Sequence, residues 1–119
     1  MIKMSWQEIK DIIPREKKDL TKENVWEFVY NFKWKFGIGE HVLQYYRKNG
    51  HGHRLKEKLR IESIEERVDG VFISFFDKGH LSRAVYLEYK DNPKYVWLQT
   101  GLYVSNPEKG DEWAFILAQ

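Results

Sequence analysis

The chain contains no cysteine, which excludes a disulfide scaffold, a thiolate zinc site and a cysteine nucleophile. No apolar run approaches the ~20 residues that a membrane-spanning helix needs. The segment Met1 to Pro14 carries Glu8, Lys10 and Asp11 where a secretory leader is apolar, so the expectation is a cytoplasmic protein without membrane contact. Phosphate-binding glycine loops, serine elbows, HExxH zinc motifs and paired catalytic carboxylates are all missing, and no segment repeats or is of low complexity. The sequence therefore identifies no reaction and no catalytic residue, and implies neither metal nor cofactor. An excess of charge is missing too: 20 Lys and Arg against 18 Asp and Glu leave a formal net charge of +2.

Aromatics are plentiful. Five Trp, seven Tyr and seven Phe in 119 residues, with 42% hydrophobic content, supply enough apolar burial to oppose chain entropy. A chain of this length buries roughly two-thirds of its unfolded surface. The reading is one domain over residues 1–119, with a helical half to residue 50 and a sheet half from residue 56.

The first half has helical signals. Ser5-Trp6-Gln7-Glu8 is a capping box, after which Trp6, Ile9 and Ile13 share a face until Pro14. A charged connector, Arg15 to Asp19, leads to Thr21 as the next N-cap, with Leu20 and Val25 placed as a hydrophobic staple. This second helix runs to Phe36 and stops at Gly37. Its core stripe is Val25, Phe28, Val29, Phe32 and Phe36. Trp26, Tyr30 and Trp34 make a separate row at i, i+4 and i+8, which serves either a neighbouring helix or a docked protein partner. A third helix is expected from Ile38 to Lys48, with Asn49-Gly50 ending it.

From Lys56 the period changes to two and turn residues recur, the signature of an antiparallel meander. An Asp69-Gly70 turn pairs Val68 with Val71. A loop over Asp77-Lys78-Gly79 pairs Phe75 with Leu81, and a loop over Asp91 to Lys94 pairs Leu87 with Leu98. These registers collect Ile64, Val68, Val71, Ile73, Phe75, Leu81, Val85, Leu87, Val96, Leu98, Leu102 and Val104 on a core face. They place Phe72, Phe76, Tyr86, Tyr95, Trp97 and Tyr103 on the other. Arg83 is the misfit on the core face, opposite Ile73. Trp113 to Leu117 is apolar on both sides and reads as an interior strand. The expected fold is α+β, with two or three N-terminal helices on one face of a four- to five-stranded antiparallel meander.

Charge is concentrated in one place. Arg47, Lys48, Arg54, Lys56, Lys58 and Arg60 face a single nearby acid, Glu57, and His51 and His53 lie among them with Tyr46 before them. Arg54, Lys56, Lys58 and Arg60 alternate onto one strand face. Such a segment is suited to phosphates, because bound Lys and Arg release condensed counterions; it also suits a charged edge strand that resists aggregation. The aromatics Phe72, Phe76, Tyr86 and Trp97 offer a platform for stacked bases, a homodimer or partner surface, or a second layer covered by the first helix and the C-terminal strand. The leading expectation is a non-enzymatic binding module for an anionic partner, nucleic acid or nucleoprotein, or a small inhibitor or adaptor of a larger protein machine. Two alternatives stand beside it: a phosphodiester-cleaving enzyme using His51 and His53, and a helix-plus-curved-sheet domain with a small-molecule pocket between its layers.

Overall fold

The structure, a computed structural model, describes residues 5–50, 52, 54–77 and 80–118, with the backbone alone at 54, 55 and 80–82. It is α+β, with two α-helices and eight antiparallel strands in one continuous sheet, more strands than the sequence suggests.

Helix α1 (Trp6–Ile12) starts as the capping box requires: the Glu8 amide donates to Ser5 Oγ and the Ser5 amide to Glu8 Oε1. The connector after it holds a two-residue strand, β1 (Lys18–Asp19), that sequence patterning does not show. Thr21 and Asn24 then exchange hydrogen bonds across one turn, Thr21 N to Asn24 Oδ1 and Asn24 N to Thr21 Oγ1. Helix α2 (Val25–Phe36) follows and ends at Gly37, whose φ of +65° suits a residue without Cβ.

The expected third helix is absent, and Leu43–Lys48 is strand β2. It continues into β3 (Arg54–Arg67), β4 (Gly70–Asp77), β5 (His80–Glu88), the 3-10 turn Tyr89–Asp91, β6 (Lys94–Leu98), β7 (Gly101–Asn106) and β8 (Asp111–Leu117). Strand order is β1-β6-β7-β8-β2-β3-β4-β5. As its apolar pattern implies, β8 is interior, between β7 and β2. The expected β5–β6 hairpin does not form: β6 pairs with β1 and β7, far from β5 in strand order.

That order dictates a curled sheet. From β6 to β5 a flat sheet would extend about 29 Å at ~4.8 Å per strand, yet residues 89–93 can bridge at most about 21 Å. The gap closes at the β7–β8 turn. Lys109 Nζ lies 3.5 Å from both Glu88 and Asp91, and Asn106 Nδ2 donates to Asp91 at 3.4 Å.

The two helices lie against opposite faces of the sheet. The inner face and α2 hold the main core, in which Phe28, Phe32 and Phe36 pack with Tyr45, Phe75, Leu102 and Phe115. A second cluster forms on the outer face, where Trp6 and Ile9 of α1 meet Tyr46, Leu98, Tyr103, Ala114 and Ile116. The expectation of all helices on one face is therefore corrected, and residues change sides with it. Tyr95 and Trp97 face inward against Phe28, Val96 and Leu98 join the outer cluster, and Val68 is 84% exposed in the β3–β4 turn. Among the described residues no helix is long and apolar enough to cross a membrane.

The outer cluster has one ionic tie. Glu112 accepts from Lys10 Nζ at 2.6 Å and from the Tyr103 hydroxyl. Burial by itself raises the Glu112 carboxyl, but those two hydrogen bonds and the Lys10 charge outweigh it and hold its pKa below the ordinary carboxylate value. A carboxyl depressed in the folded state contributes stability above its unfolded pKa, near 4.3, and loses that contribution as pH falls through its folded value. Glu112→Gln is expected to melt below the parent at neutral pH and to converge with it as the pH falls below the depressed pKa of the folded carboxyl. A melting difference that stays constant from neutral to acid pH would show that the charge of Glu112 contributes nothing.

Candidate nucleic-acid interface

The β2–β3 hairpin carries the basic segment, and antiparallel pairing decides where each residue faces. Lys48 is opposite Arg54, Tyr46 opposite Lys56 and Gln44 opposite Lys58. Tyr46 belongs to the outer cluster, so all six positions lie on the outer face. Lys56 and Lys58 are exposed beside α1, and Lys56 Nζ stands 5.4 Å from the centre of the Tyr46 ring. A small recess of about 200 Å³ opens among Gln44, Lys56, Glu57 and Lys58.

Two of the six basic residues are engaged inside the protein. Arg47 points to the inner face, because alternation sets it against Tyr46; its Nη2 is 3.5 Å from Asp111 Oδ1 and its guanidinium 5.7 Å from the Trp113 ring centre. Arg60 keeps the outer face but donates through Nη1 to the carbonyls of Gly39 and Glu40 at 3.1 and 3.3 Å. It pins the loop before β2 to the sheet. The outward row thus holds Lys48, Lys56 and Lys58, with position 54 in register on the same face and its side chain outside the described residues. His51 and His53 also lie outside them. Elsewhere His41 is exposed, and among the described residues no group of three His, Asp or Glu is placed to hold a metal ion.

The aromatic part of the outer face is further along, on β4 and β5. Phe72 sits across from Tyr86, and Phe76 across from Arg60. The Phe72 and Tyr86 rings are already covered, since the Arg67 guanidinium lies 4.2 Å from the first ring centre and 5.6 Å from the second. The Tyr86 hydroxyl donates to Asp69, which pushes its pKa up to about 12. With Glu65 across from Phe72, and Asp69 and Glu88 acting on Tyr86 against Arg67, this end of the face is acidic and the hairpin end basic. Trp97 is not on this face at all; it packs between α2 and the sheet under Lys35.

Sequence reasoning missed a polar cluster on the inner face. Arg83, across from Phe75 and not Ile73, forms a two-pronged ion pair with Glu57, Nε to Oε2 at 2.7 Å and Nη2 to Oε1 at 3.0 Å. Alternation turns Glu57, the one acid of the basic segment, to the inner face, where the Arg83 guanidinium holds it; on the outer face Lys48 stands opposite Glu112 of β8, whose pKa its charge helps to lower. Tyr45 is fully buried beside this pair, and desolvation raises its hydroxyl above the ordinary tyrosine value. No signal local to β3 gives the partner, since the two residues come from strands separated by β4.

On the far side of the molecule, Trp26, Tyr30 and Trp34 of α2 are 65%, 66% and 83% exposed. Among the described residues no second helix covers them. Family models, curated proteins and solved structures provide no match to this chain.

Proposed function

We propose that the protein is a non-enzymatic module that binds a polyanion, most simply a nucleic-acid backbone, on the outer face of the β2–β3 hairpin. One observation carries this reading. Strand pairing and alternation put Lys48, Lys56, Lys58 and position 54 on one face, while Glu57, the only acid in sequence between Arg47 and Arg60, is turned to the inner face and held by Arg83. Rows of this kind meet phosphates by charge and counterion release, with no need for base contacts. The acidic surround of Phe72 and Tyr86, and the guanidinium lying on them, speak against a base-stacking platform there, so affinity should depend weakly on sequence.

The test is a fluorescence-anisotropy titration with labelled single- and double-stranded oligonucleotides at two salt concentrations. Four phosphate contacts predict that log Kd changes with log salt at a slope of roughly 3 to 4. Lys56→Glu with Lys58→Glu is expected to weaken binding at least ~30-fold at low salt and to flatten the salt slope by about two. Both side chains are exposed, so melting should be unchanged. Absence of binding at low salt, or binding that the variant leaves intact, would refute the reading.

A further inference from the structure

The aromatic row on α2 is unusual for a surface. Residues at i, i+4 and i+8 form one ridge along a helix, and here the ridge is Trp26, Tyr30 and Trp34, with Ile38 just beyond the helix end at 45% exposure. The opposite side of the same helix already fills the core through Val25, Phe28, Phe32 and Phe36, so the row adds nothing to the fold. At the exposures given above, and at about 150–250 Å² for a whole aromatic side chain, the ridge offers roughly 500 Å² of apolar surface. A contiguous patch of that size lies near the top of what monomeric proteins leave uncovered.

We infer that this row is the contact between two copies of the chain, packed α2 against α2 about a two-fold axis. Area is the first argument: the ridge and its mate together bury about 1,000 Å², the size at which a specific interface becomes sustainable. Charge is the second. Glu27 and Lys33 stand three residues before and three residues after Tyr30, and at 100° per residue that puts them on opposite flanks of the ridge. A two-fold axis running along the ridge exchanges the flanks, which puts Glu27 of one copy and Lys33 of the other on the same side, six residues or about 9 Å apart along the helix, so that each long side chain leans toward its opposite charge on both sides. The surface is self-complementary, as an isologous contact requires. It is also neutral there, which a nucleic-acid surface would not be. Third, a groove of about 440 Å³ beside Trp34, lined by Asn31, Trp34, Lys35 and Trp97, is wide enough to receive an aromatic side chain of the second copy. Lys35 forms its wall, held in place by donating to the carbonyls of Leu98 and Gln99.

The inference is independent of the polyanion reading, because the basic row lies on the outer face and α2 on the inner one. If both hold, the dimer presents two cationic rows, and its grip on a long polyanion exceeds that of one row through effective concentration.

Sedimentation velocity of the full chain from about 1 to 100 µM reads the association directly. A reversible dimer is expected within that range. Trp34→Ala and Tyr30→Ala should each weaken it at least ~30-fold with melting little changed, since both side chains are exposed. Glu27→Lys alone should weaken the dimer, and Glu27→Lys combined with Lys33→Glu should restore it, a recovery that simple loss of surface cannot produce. A protein that stays monomeric at about 100 µM would assign the row to a different occupant and overturn the inference. So would a dimer that survives both aromatic substitutions, or a charge swap that fails to rescue.

Discussion

Phe115→Ala is expected to destabilise the protein by about 3–5 kcal/mol, a large part of the ~5–15 kcal/mol that holds a domain of this size together. Phe115 is fully buried in the middle of β8. Its ring lies 5.0 Å from Phe75, 5.7 Å from Tyr45 and 6.5 Å from Phe32, centre to centre. It therefore joins β4, β2 and α2 at one point, and deleting it leaves a cavity whose walls belong to three elements that cannot collapse independently. The consequence reaches the surfaces. Tyr45 loses one of its two ring partners, keeping Phe75, and the strand that places Lys56 and Lys58 is held in register by β2. Urea unfolding of the variant should show a lower midpoint with little change in slope. Phe115→Leu, which keeps most of the volume, should recover more than half of the loss. A loss below about 1 kcal/mol for the alanine variant would mean that this cluster is not the centre of the core.

The parts of the fold that were legible in the sequence are those set by local chemistry. Ser5 and Glu8 form their capping box because both partners lie within one turn. Gly37 ends α2 because the left-handed φ there suits a residue without Cβ. Trp113 to Leu117 reads as interior because both faces of β8 are covered, Phe115 by α2 and Ala114 and Ile116 by α1. The same double burial misled at β2. Tyr45 and Tyr46 are both buried, on opposite faces, and with Leu43 and Gln44 they give the strand no exposed residue over its first four positions, so its spacing from Ile38 and Val42 imitates a helical stripe. Register failed at one bulge and one turn. The β4–β5 ladder shifts between Phe75 and Phe76, and the extra residue moves the following pairs, so that Arg83 comes to face Phe75 and not Ile73. The Asp69-Gly70 pair has the composition of a two-residue turn, but the hairpin closes one residue earlier, over Val68 and Asp69, with Arg67 opposite Gly70.

For the candidate surfaces the division is similar. The cationic row was legible because alternation alone puts Arg54, Lys56 and Lys58 on one side. The withdrawal of Arg47 to Asp111, of Arg60 to the Gly39 carbonyl and of Glu57 to Arg83 depends on strand pairings between distant segments, which no local pattern encodes. The exposed ridge was half legible: its spacing marked a second apolar face on α2, and only the placement of α1 on the other side of the sheet leaves it uncovered. That placement is itself a long-range result, since Trp6 and Ile9 settle on a surface built by β2, β6, β7 and β8 together.

Gly101→Ala is expected to cost at least about 3 kcal/mol and to disrupt the pairing of β7 with β8. Gly101 opens β7 opposite Ile116, and a Cβ added there would lie 2.2 Å from the carbonyl oxygen of Phe115 and 2.8 Å from Ile116 Cδ1. The first contact is with backbone, so no side-chain rotation relieves it; the strands must separate. Separation at this end breaks the Gly101 to Ile116 and Leu102 to Phe115 pairs and pulls Ile116 away from α1. One methyl group therefore loosens the inner core and the outer cluster at once. Gly50→Ala provides the contrast: its nearest neighbours, the Cα and carbonyl oxygen of Gly110, stand at 3.5 Å, an ordinary contact. That variant should change stability by no more than about 1 kcal/mol. Hydrogen exchange separates the two ideas behind the prediction. If backbone collision is the cause, amides of β7 and β8 lose protection in Gly101→Ala while those of the β4–β5 pair keep theirs, and Gly50→Ala leaves both sets unchanged. Equal loss of protection across the whole sheet would instead show that β7 and β8 unfold only together with the rest.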